Sequence, residues 1–129
     1  MSDYLIESAT REDVIRKYFN AFNNKDIDTL EKMFDKDVTL KDWDISAEGI
    51  LSVCRANEQI FSSVLRITCI PEEILIDGNM VCAVLTIEVI TEGTNPINDF
   101  AENHETLKVV DIFELSNDLK IKSISAYKQ

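Results

Sequence analysis

The spacing of apolar residues changes from a helical to a strand period before the middle of the chain, and this change restricts the fold more than any other feature. In the first part apolar residues recur every three to four positions, whereas the second half is rich in β-branched residues. Residues 65–76 and 80–90 are two long strand candidates, and the Asp77-Gly78 pair between them is a strong hairpin signal. Helices followed by hairpin-connected strands predict an α+β domain, with three helices on one face of a curved antiparallel sheet.

Residues that can cap a helix indicate where the first two predicted helices begin. Thr10, followed by acidic residues, predicts the start of a first helix, and Asp26 can cap a second, shorter one. The period changes to two from Asp37, which predicts a short strand, and a third helix is expected over 47–63. The predicted apolar positions are Val14, Ile15, Tyr18, Phe19 and Phe22 in the first helix and Ile50, Leu51, Cys54, Ile60, Phe61 and Val64 in the third.

The last part of the chain predicts two further strands, over 104–115 and 119–127. Residues 92–103 contain Gly93 and Pro96, and they predict a loop long enough to be functional. Because no repeat or linker interrupts the pattern, residues 1–129 are expected to form one domain. A curved sheet that closes on three helices leaves a conical internal pocket, the kind of place where small molecules bind.

The charge balance narrows the range of partners. The chain has 13 Lys and Arg against 24 Asp and Glu, a net charge of −11 at pH 7. Nucleic acid is excluded as a partner, because binding phosphates requires basic residues that displace counterions. The same negative field repels anionic membranes and disfavours anionic substrates. A neutral or cationic small molecule, or a protein, is compatible with this charge, and a neutral apolar small molecule is the expected ligand of the pocket.

The N-terminal residues, the cysteines and the histidine indicate an intracellular protein without metal. The N-terminal residues are acidic where a signal peptide is basic, and no apolar run approaches a membrane span, so a cytoplasmic location is expected. The three cysteines, Cys54, Cys69 and Cys82, are widely spaced, which favours reduced, buried thiols. His104 is the only histidine. Neither a metal nor an organic cofactor is expected.

Two polar residues occupy positions that the pattern assigns to the interior. Tyr18 lies in the middle of the apolar stripe of the first helix, where its hydroxyl requires a hydrogen-bond partner. The alternative is a core tyrosine that bonds a backbone carbonyl. Asp42 ends the first strand in phase with Val38 and Leu40, so its carboxylate is predicted to face inward. The alternative is a carboxylate that faces water or caps a turn.

Asp111 is the most informative polar residue. It alternates in phase with Val109, Phe113 and Leu115, whereas the charges of this strand fall on the other face. An aspartate buried among apolar groups either pairs with a cation or takes up a proton. Since no Lys or Arg shares its face, a neutral carboxylic acid is predicted, able to donate a hydrogen bond. The alternative is a bulge after the loop, which would shift the register of the strand so that the Asp111 side chain points outward.

Residues 17–42 resemble the opening of NTF2-like proteins of the SnoaL and ketosteroid isomerase type. The resemblance rests on the Asp26-x-Asp28-x-Leu30 helix start, the Phe34-x-x-Asp37 junction and the strand that follows, and the order of later elements extends it over nearly the whole chain. It implies an NTF2-like (cystatin-like) cone with an internal pocket. The superfamily holds isomerases, cyclases, hydrolases and non-catalytic binding domains.

The ketosteroid isomerases are similar at three functional positions. The resemblance implies an oxyanion-binding tyrosine at Tyr18, a general base at Asp42 and a protonated aspartic acid at Asp111, which together would move a proton next to a ketone. A thiol, Cys54, stands where those enzymes carry a supporting tyrosine. The side chains expected to contact the substrate are Phe22, Phe34, Trp43, Cys54, Phe61 and Phe113.

Two other functions are compatible with the sequence. A cyclase or epoxide hydrolase of the same fold would use Asp111 or His104 as acid or base, and a hydrolase would require an arginine between two aspartates, for which Arg66 is the candidate on a strand. A non-catalytic ligand-binding or dimerisation module is the other. The resemblance implies a homodimer through the outer sheet face, for which the apolar candidates are Val84, Val110, Ile112 and Ile124.

Overall fold

A computed structural model describes residues 3–93 and 101–129, which form three helices and a six-stranded sheet. The helices are α1 (Asp3–Asn23), α2 (Ile27–Met33) and α3 (Ile50–Ser63). The strands are β1 (Phe34–Lys41), β2 (Ser46–Glu48), β3 (Arg66–Asp77), β4 (Met80–Glu92), β5 (Glu102–Leu115) and β6 (Ile121–Lys128).

The sheet has the strand order β2-β1-β6-β5-β4-β3. Strands β3 to β6 are connected as successive antiparallel hairpins, as predicted. The expectation of a purely antiparallel sheet is wrong at one pair, because β1 lies parallel to β6, with Leu40 opposite Ile124. The two strands are far apart in sequence, so no turn signal between them could reveal their relative direction. The α+β class is confirmed.

Local sequence signals fix several element boundaries. The Asp26 carboxylate accepts a hydrogen bond from the Thr29 backbone N–H and caps α2, which confirms the predicted cap. The hairpin between β3 and β4 turns at Gly78, whose positive φ of 59° suits a residue without a Cβ. Beyond this hairpin, the predicted loop over 92–103 falls mostly on 94–100, outside the described residues.

Three predicted boundaries or faces differ from the structure. Helix α1 begins at Asp3 and not at Thr10, because the segment between them contains no Gly or Pro to stop it. Helix α3 begins at Ile50 because residues 46–48 pair with β1 as the short strand β2. Leu51, placed in the apolar stripe of the third helix, is 65% exposed, and Val53 is buried instead.

The C-terminus of α1 is attached to the outermost strand, β3. The Asn23 carboxamide donates to the Cys69 carbonyl at 2.9 Å and accepts from the Cys69 N–H at 2.8 Å. These two bonds imitate a neighbouring strand at this position of the sheet edge. They hold the helix across the concave face of the sheet, which positions one wall of the cavity described below.

The two faces of the sheet have different surroundings. Val84, Val110 and Ile112 are half-buried on the outer face, as predicted. Ile124 was expected on that face, but it is 2% exposed and lies on the inner face opposite Phe113, because the pairing of β5 and β6 places the two residues side by side. The inner face packs against the helices and forms the core.

Candidate functional site

A cavity of about 340 Å³ lies between the helices and the concave face of the sheet. Its walls are mainly apolar, and they come from both layers of the fold. The apolar lining includes Phe22, Leu40, Ile60, Ile87, Val109 and Ile124. The polar lining consists of Tyr18, Asp42, Asp44, Asn57, Ser63, Glu105 and Asp111.

Asp111 lies in the sheet wall of this cavity. Its side chain is buried on the inner face of β5, as the alternation with Val109 and Phe113 predicted, so the outward alternative does not occur. Burial raises the pKa of Asp111 to about 7, and the negative charge of Asp42 adds to the rise. Near neutral pH a large share of this carboxyl is therefore protonated, and the protonated form can donate a hydrogen bond into the cavity.

Tyr18 belongs both to the core and to the cavity wall. Its ring makes edge-to-face contacts with Phe19 and Phe113, at centroid distances of 5.3 and 5.2 Å. Burial raises the pKa of the Tyr18 hydroxyl well above its ordinary value, and the nearby charge of Asp111 raises it further. The hydroxyl thus stays protonated at any physiological pH and is available as a donor.

Asp42 combines the two interpretations that the sequence left open. It follows the last residue of β1, and its Oδ1 accepts hydrogen bonds from the backbone N–H groups of Asp44 and Ile45, at 2.7 and 2.5 Å. These bonds cap the turn into β2. The half-buried carboxylate also lines the cavity, and its charge acts on Asp111. Asp42 is therefore an oriented acceptor close to a protonated acid.

Trp43 lies at the open side of the cavity. Its ring lines the cavity although the side chain is 41% exposed. The Lys128 ammonium group lies over the ring, 5.2 Å from its centroid, in a cation–π contact. Of the residues expected to contact a substrate, Trp43 and Phe22 line the cavity.

The other four expected contact residues are Phe34, Cys54, Phe61 and Phe113, and the structure buries them in the core outside the cavity lining. The positions of the three rings follow from aromatic packing. Phe113 packs edge-to-face on Phe19 at 5.7 Å, and Phe61 packs on Phe22 at 4.9 Å. These rings fill the space behind the residues that line the cavity, so they shape it indirectly.

Sequence reasoning missed Asn57. This residue of α3 is 1% exposed and lines the cavity, and its Nδ2 has no hydrogen-bond partner in the described part of the chain. A signal for it exists, because Asn57 follows Val53 by four residues and precedes Phe61 by four, which places an amide within the buried stripe of a helix.

Two candidates for hydrolase chemistry lie elsewhere. His104 and Arg66 line a separate depression on the sheet, and the His104 Nε2 lies 3.2 Å from a Glu102 carboxylate oxygen. No Lys or Arg among the described residues lines the cavity, so the aspartate-arginine-aspartate arrangement is not found there. Residues 3–93 and 101–129 contain no group of three or more potential metal ligands.

Within residues 3–93 and 101–129, none of the helices combines the length and the hydropathy that a membrane span requires.

Comparison with known structures supports the fold. A proposed SnoaL-like polyketide cyclase from Shewanella denitrificans has a TM-score of 0.80 at 15% identity, over 93% of this chain and 90% of that one. SalBIII, an epoxide hydrolase/cyclase-like enzyme of pyran ring formation in salinomycin, has a TM-score of 0.79 at 21% identity, over 95% and 92%.

A protein from Catenulispora acidiphila with a ketosteroid isomerase-like fold, solved with trimethylamine, has a TM-score of 0.76 at 12% identity, over 88% and 83% of the two chains. At these identities the likeness shows the fold alone, and it confirms the NTF2-like cone. Among curated proteins, none matches this sequence.

The family is shown by the sequence itself. The sequence model of the SnoaL-like domain matches residues 15–124, which include α2, α3, most of the sheet and all four polar residues argued above. The chain therefore belongs to the SnoaL-like domain family, as the resemblance of residues 17–42 predicted.

Proposed function

We propose that the cavity binds a neutral, largely apolar ketone and that its polar residues move a proton between carbons next to the carbonyl group. One observation carries this proposal. Asp42, held as a hydrogen-bond acceptor, and Asp111, whose burial raises its pKa to about 7 so that a large share is protonated near neutral pH, line the same apolar cavity. Two carboxyl groups whose environments differ in this way can serve as base and acid in one reaction.

The reaction follows from the roles of three side chains. The free oxygen of Asp42 removes a proton from the carbon alpha to the ketone, and the electron pair of that C–H bond shifts to the carbonyl oxygen to give a dienolate. Tyr18 and neutral Asp111 donate hydrogen bonds to the developing oxyanion. Asp42 then returns its proton to the carbon two positions along. The β,γ-unsaturated ketone becomes a conjugated one, with no net gain or loss of protons or electrons.

The same pair of carboxyl groups supports a second candidate, an intramolecular ring closure. In that reaction Asp42 removes the proton of a substrate hydroxyl, whose oxygen attacks an epoxide carbon, while Asp111 gives its proton to the epoxide oxygen as the C–O bond breaks. The structural likeness to SalBIII favours this candidate. The absence of His104 and Arg66 from the cavity lining argues against the versions that depend on them.

A non-catalytic binding module is the remaining alternative. The half-buried apolar residues Val84, Val110 and Ile112 on the outer sheet face support a homodimer through that face. Such a dimer is compatible with catalysis, so the oligomeric state does not separate these functions. Turnover does.

The test follows the conversion of a β,γ-unsaturated 3-ketosteroid to its conjugated enone by ultraviolet absorbance. We expect wild-type turnover above the buffer rate and a decrease of about 10²- to 10³-fold in kcat for Tyr18→Phe, because this change removes one oxyanion donor while keeping the ring. Tyr127→Phe is the matched control, because Tyr127 is 58% exposed on the opposite face of the sheet. This substitution removes the same kind of hydroxyl group, and it is expected to leave the rate unchanged. Equal rates for wild type and Tyr18→Phe would contradict the assigned role.

A further inference from the structure

Of the described polar residues that line the cavity and that the proposed reaction leaves unused, Asn57 is the buried one, whereas Asp44, Ser63 and Glu105 are exposed. The Asn57 side chain is 1% exposed, and no group in the described residues pairs with its Nδ2. A buried amide without a partner is rare in folded proteins, because it loses its hydrogen bonds to water on folding and gains none. Its presence in the wall of a cavity therefore requires an explanation that the fold does not supply.

The surroundings of Asn57 indicate what the missing partner is. Its neighbours in the stripe of α3, Val53, Cys54 and Phe61, are buried and apolar, so the core offers no reason for an amide at this position. Asn57 lies in the helical wall of the cavity, whereas Asp111 lies in the sheet wall on β5. A ligand in this cavity is therefore flanked by hydrogen-bonding groups from two layers of the fold.

We infer that Asn57 is a specificity-determining residue that donates a hydrogen bond to a second oxygen of the ligand, separate from the oxygen held by Tyr18 and Asp111. This inference rests on the proposed function, since it concerns the same cavity. The ligand class becomes a compact apolar skeleton with two oxygen acceptors. A skeleton with one oxygen leaves the Asn57 amide unpaired in the complex and binds more weakly.

The experiment uses the only tryptophan of the chain as its reporter. Trp43 lines the cavity, so ligand binding is expected to change its fluorescence. The probes are two conjugated 3-ketosteroids, products of the proposed reaction that wild type does not consume, and they differ only in a second keto group at the far end of the skeleton. Their affinities are measured for wild type, Asn57→Leu, Asn57→Ala and Gln59→Leu. Gln59 is an exposed amide of the same helix and serves as the control.

We expect wild type and Gln59→Leu to bind the diketone about 10- to 100-fold more tightly than the monoketone, and both Asn57 variants to lose this preference. The ratio of the two affinities is insensitive to a general loss of stability, so it remains decisive if one variant folds poorly. The midpoint of thermal unfolding is expected to stay the same or rise in Asn57→Leu, because this change replaces a buried amide that has no hydrogen-bond partner by an apolar side chain of similar size.

A fall of the unfolding midpoint in Asn57→Leu by many degrees, or an unchanged affinity ratio, would show that Asn57 has a structural role and would overturn the inference. Failure of both steroids to bind wild type would overturn it together with the ketone class of the proposed function. Binding with the expected ratio, together with no conversion of the β,γ-unsaturated isomers, would uphold the inference and reject the isomerisation alone. The two proposals therefore fail in different ways.

Discussion

Replacing Asp42 by asparagine is expected to lower turnover of a β,γ-unsaturated ketone by about 10²- to 10⁴-fold, the usual contribution of a general base. The substitution keeps the local structure, because the Oδ1 of the amide can still accept from the backbone N–H groups of Asp44 and Ile45. It removes only the oxygen that carries the proton. Substrate affinity, followed by the fluorescence of Trp43, is expected to change little.

Asp37→Asn is the control for this prediction. Asp37 lies on β1, the strand that Asp42 follows, is exposed, and loses the same charge when it is changed to asparagine. Its rate is expected to equal that of wild type. If Asp42→Asn retained the wild-type kcat, Asp42 would not be the base, and the carboxylate would serve only to cap the turn into β2.

Replacing Asp111 by asparagine is expected to stabilise the protein at pH 8 and to leave its stability nearly unchanged at pH 4. The pKa of Asp111 is raised to about 7 in the folded protein, first by burial and then by the charge of Asp42. Between about pH 4 and pH 7 the folded protein therefore holds a proton that the unfolded chain has released. The stability contributed by the neutral acid is complete below pH 4 and is lost as the pH rises through 7.

The size of this effect follows from the displacement of the pKa. A rise from 3.8 to about 7 corresponds to a penalty on the order of 4 kcal/mol for the folded protein at pH 8, which the asparagine variant avoids. Urea unfolding of both proteins at a series of pH values measures it. The difference in free energy of unfolding is expected to grow from pH 4 to pH 7 and then level off.

Asp37→Asn is again the comparison, because Asp37 is an exposed aspartate of β1 that does not line the cavity. A constant difference between Asp111→Asn and wild type over the whole series would mean that Asp111 is ionised in the folded protein at neutral pH. It would then be a poor hydrogen-bond donor to an oxyanion.

Much of the fold is encoded in short segments and could be predicted from them. The cap at Asp26 and the turn at Gly78 each depend on one or two residues and their neighbours. The alternation that places Asp111 on the inner face extends over a whole strand, so its prediction is insensitive to errors at the strand ends. These local signals were sufficient to select Tyr18, Asp42 and Asp111, all of which line the cavity.

The features that were missed depend on contacts between distant segments. The parallel pairing joins β1 with β6, which lie far apart in the sequence, and neither strand carries a local signal of its partner. The apolar pattern also does not distinguish rings that line the cavity from rings that fill the space behind it, so Phe34 and Phe113 were expected in the cavity. Asn57 was not predicted because the buried face of the third helix was identified from its apolar residues, and an amide on that face does not contribute to the apolar pattern.

The most direct test of the acid–base pair follows the side-chain carboxyl carbons of ¹³C-labelled aspartate by NMR as the pH is raised. One carboxyl resonance, absent from Asp111→Asn, is expected to titrate with an apparent pKa of about 7. In Asp42→Asn the same resonance is expected to titrate at a lower pH, because the charge that raises its pKa is gone. An Asp111 carboxyl that titrates near pH 4 in the folded wild-type protein would contradict the proposed site.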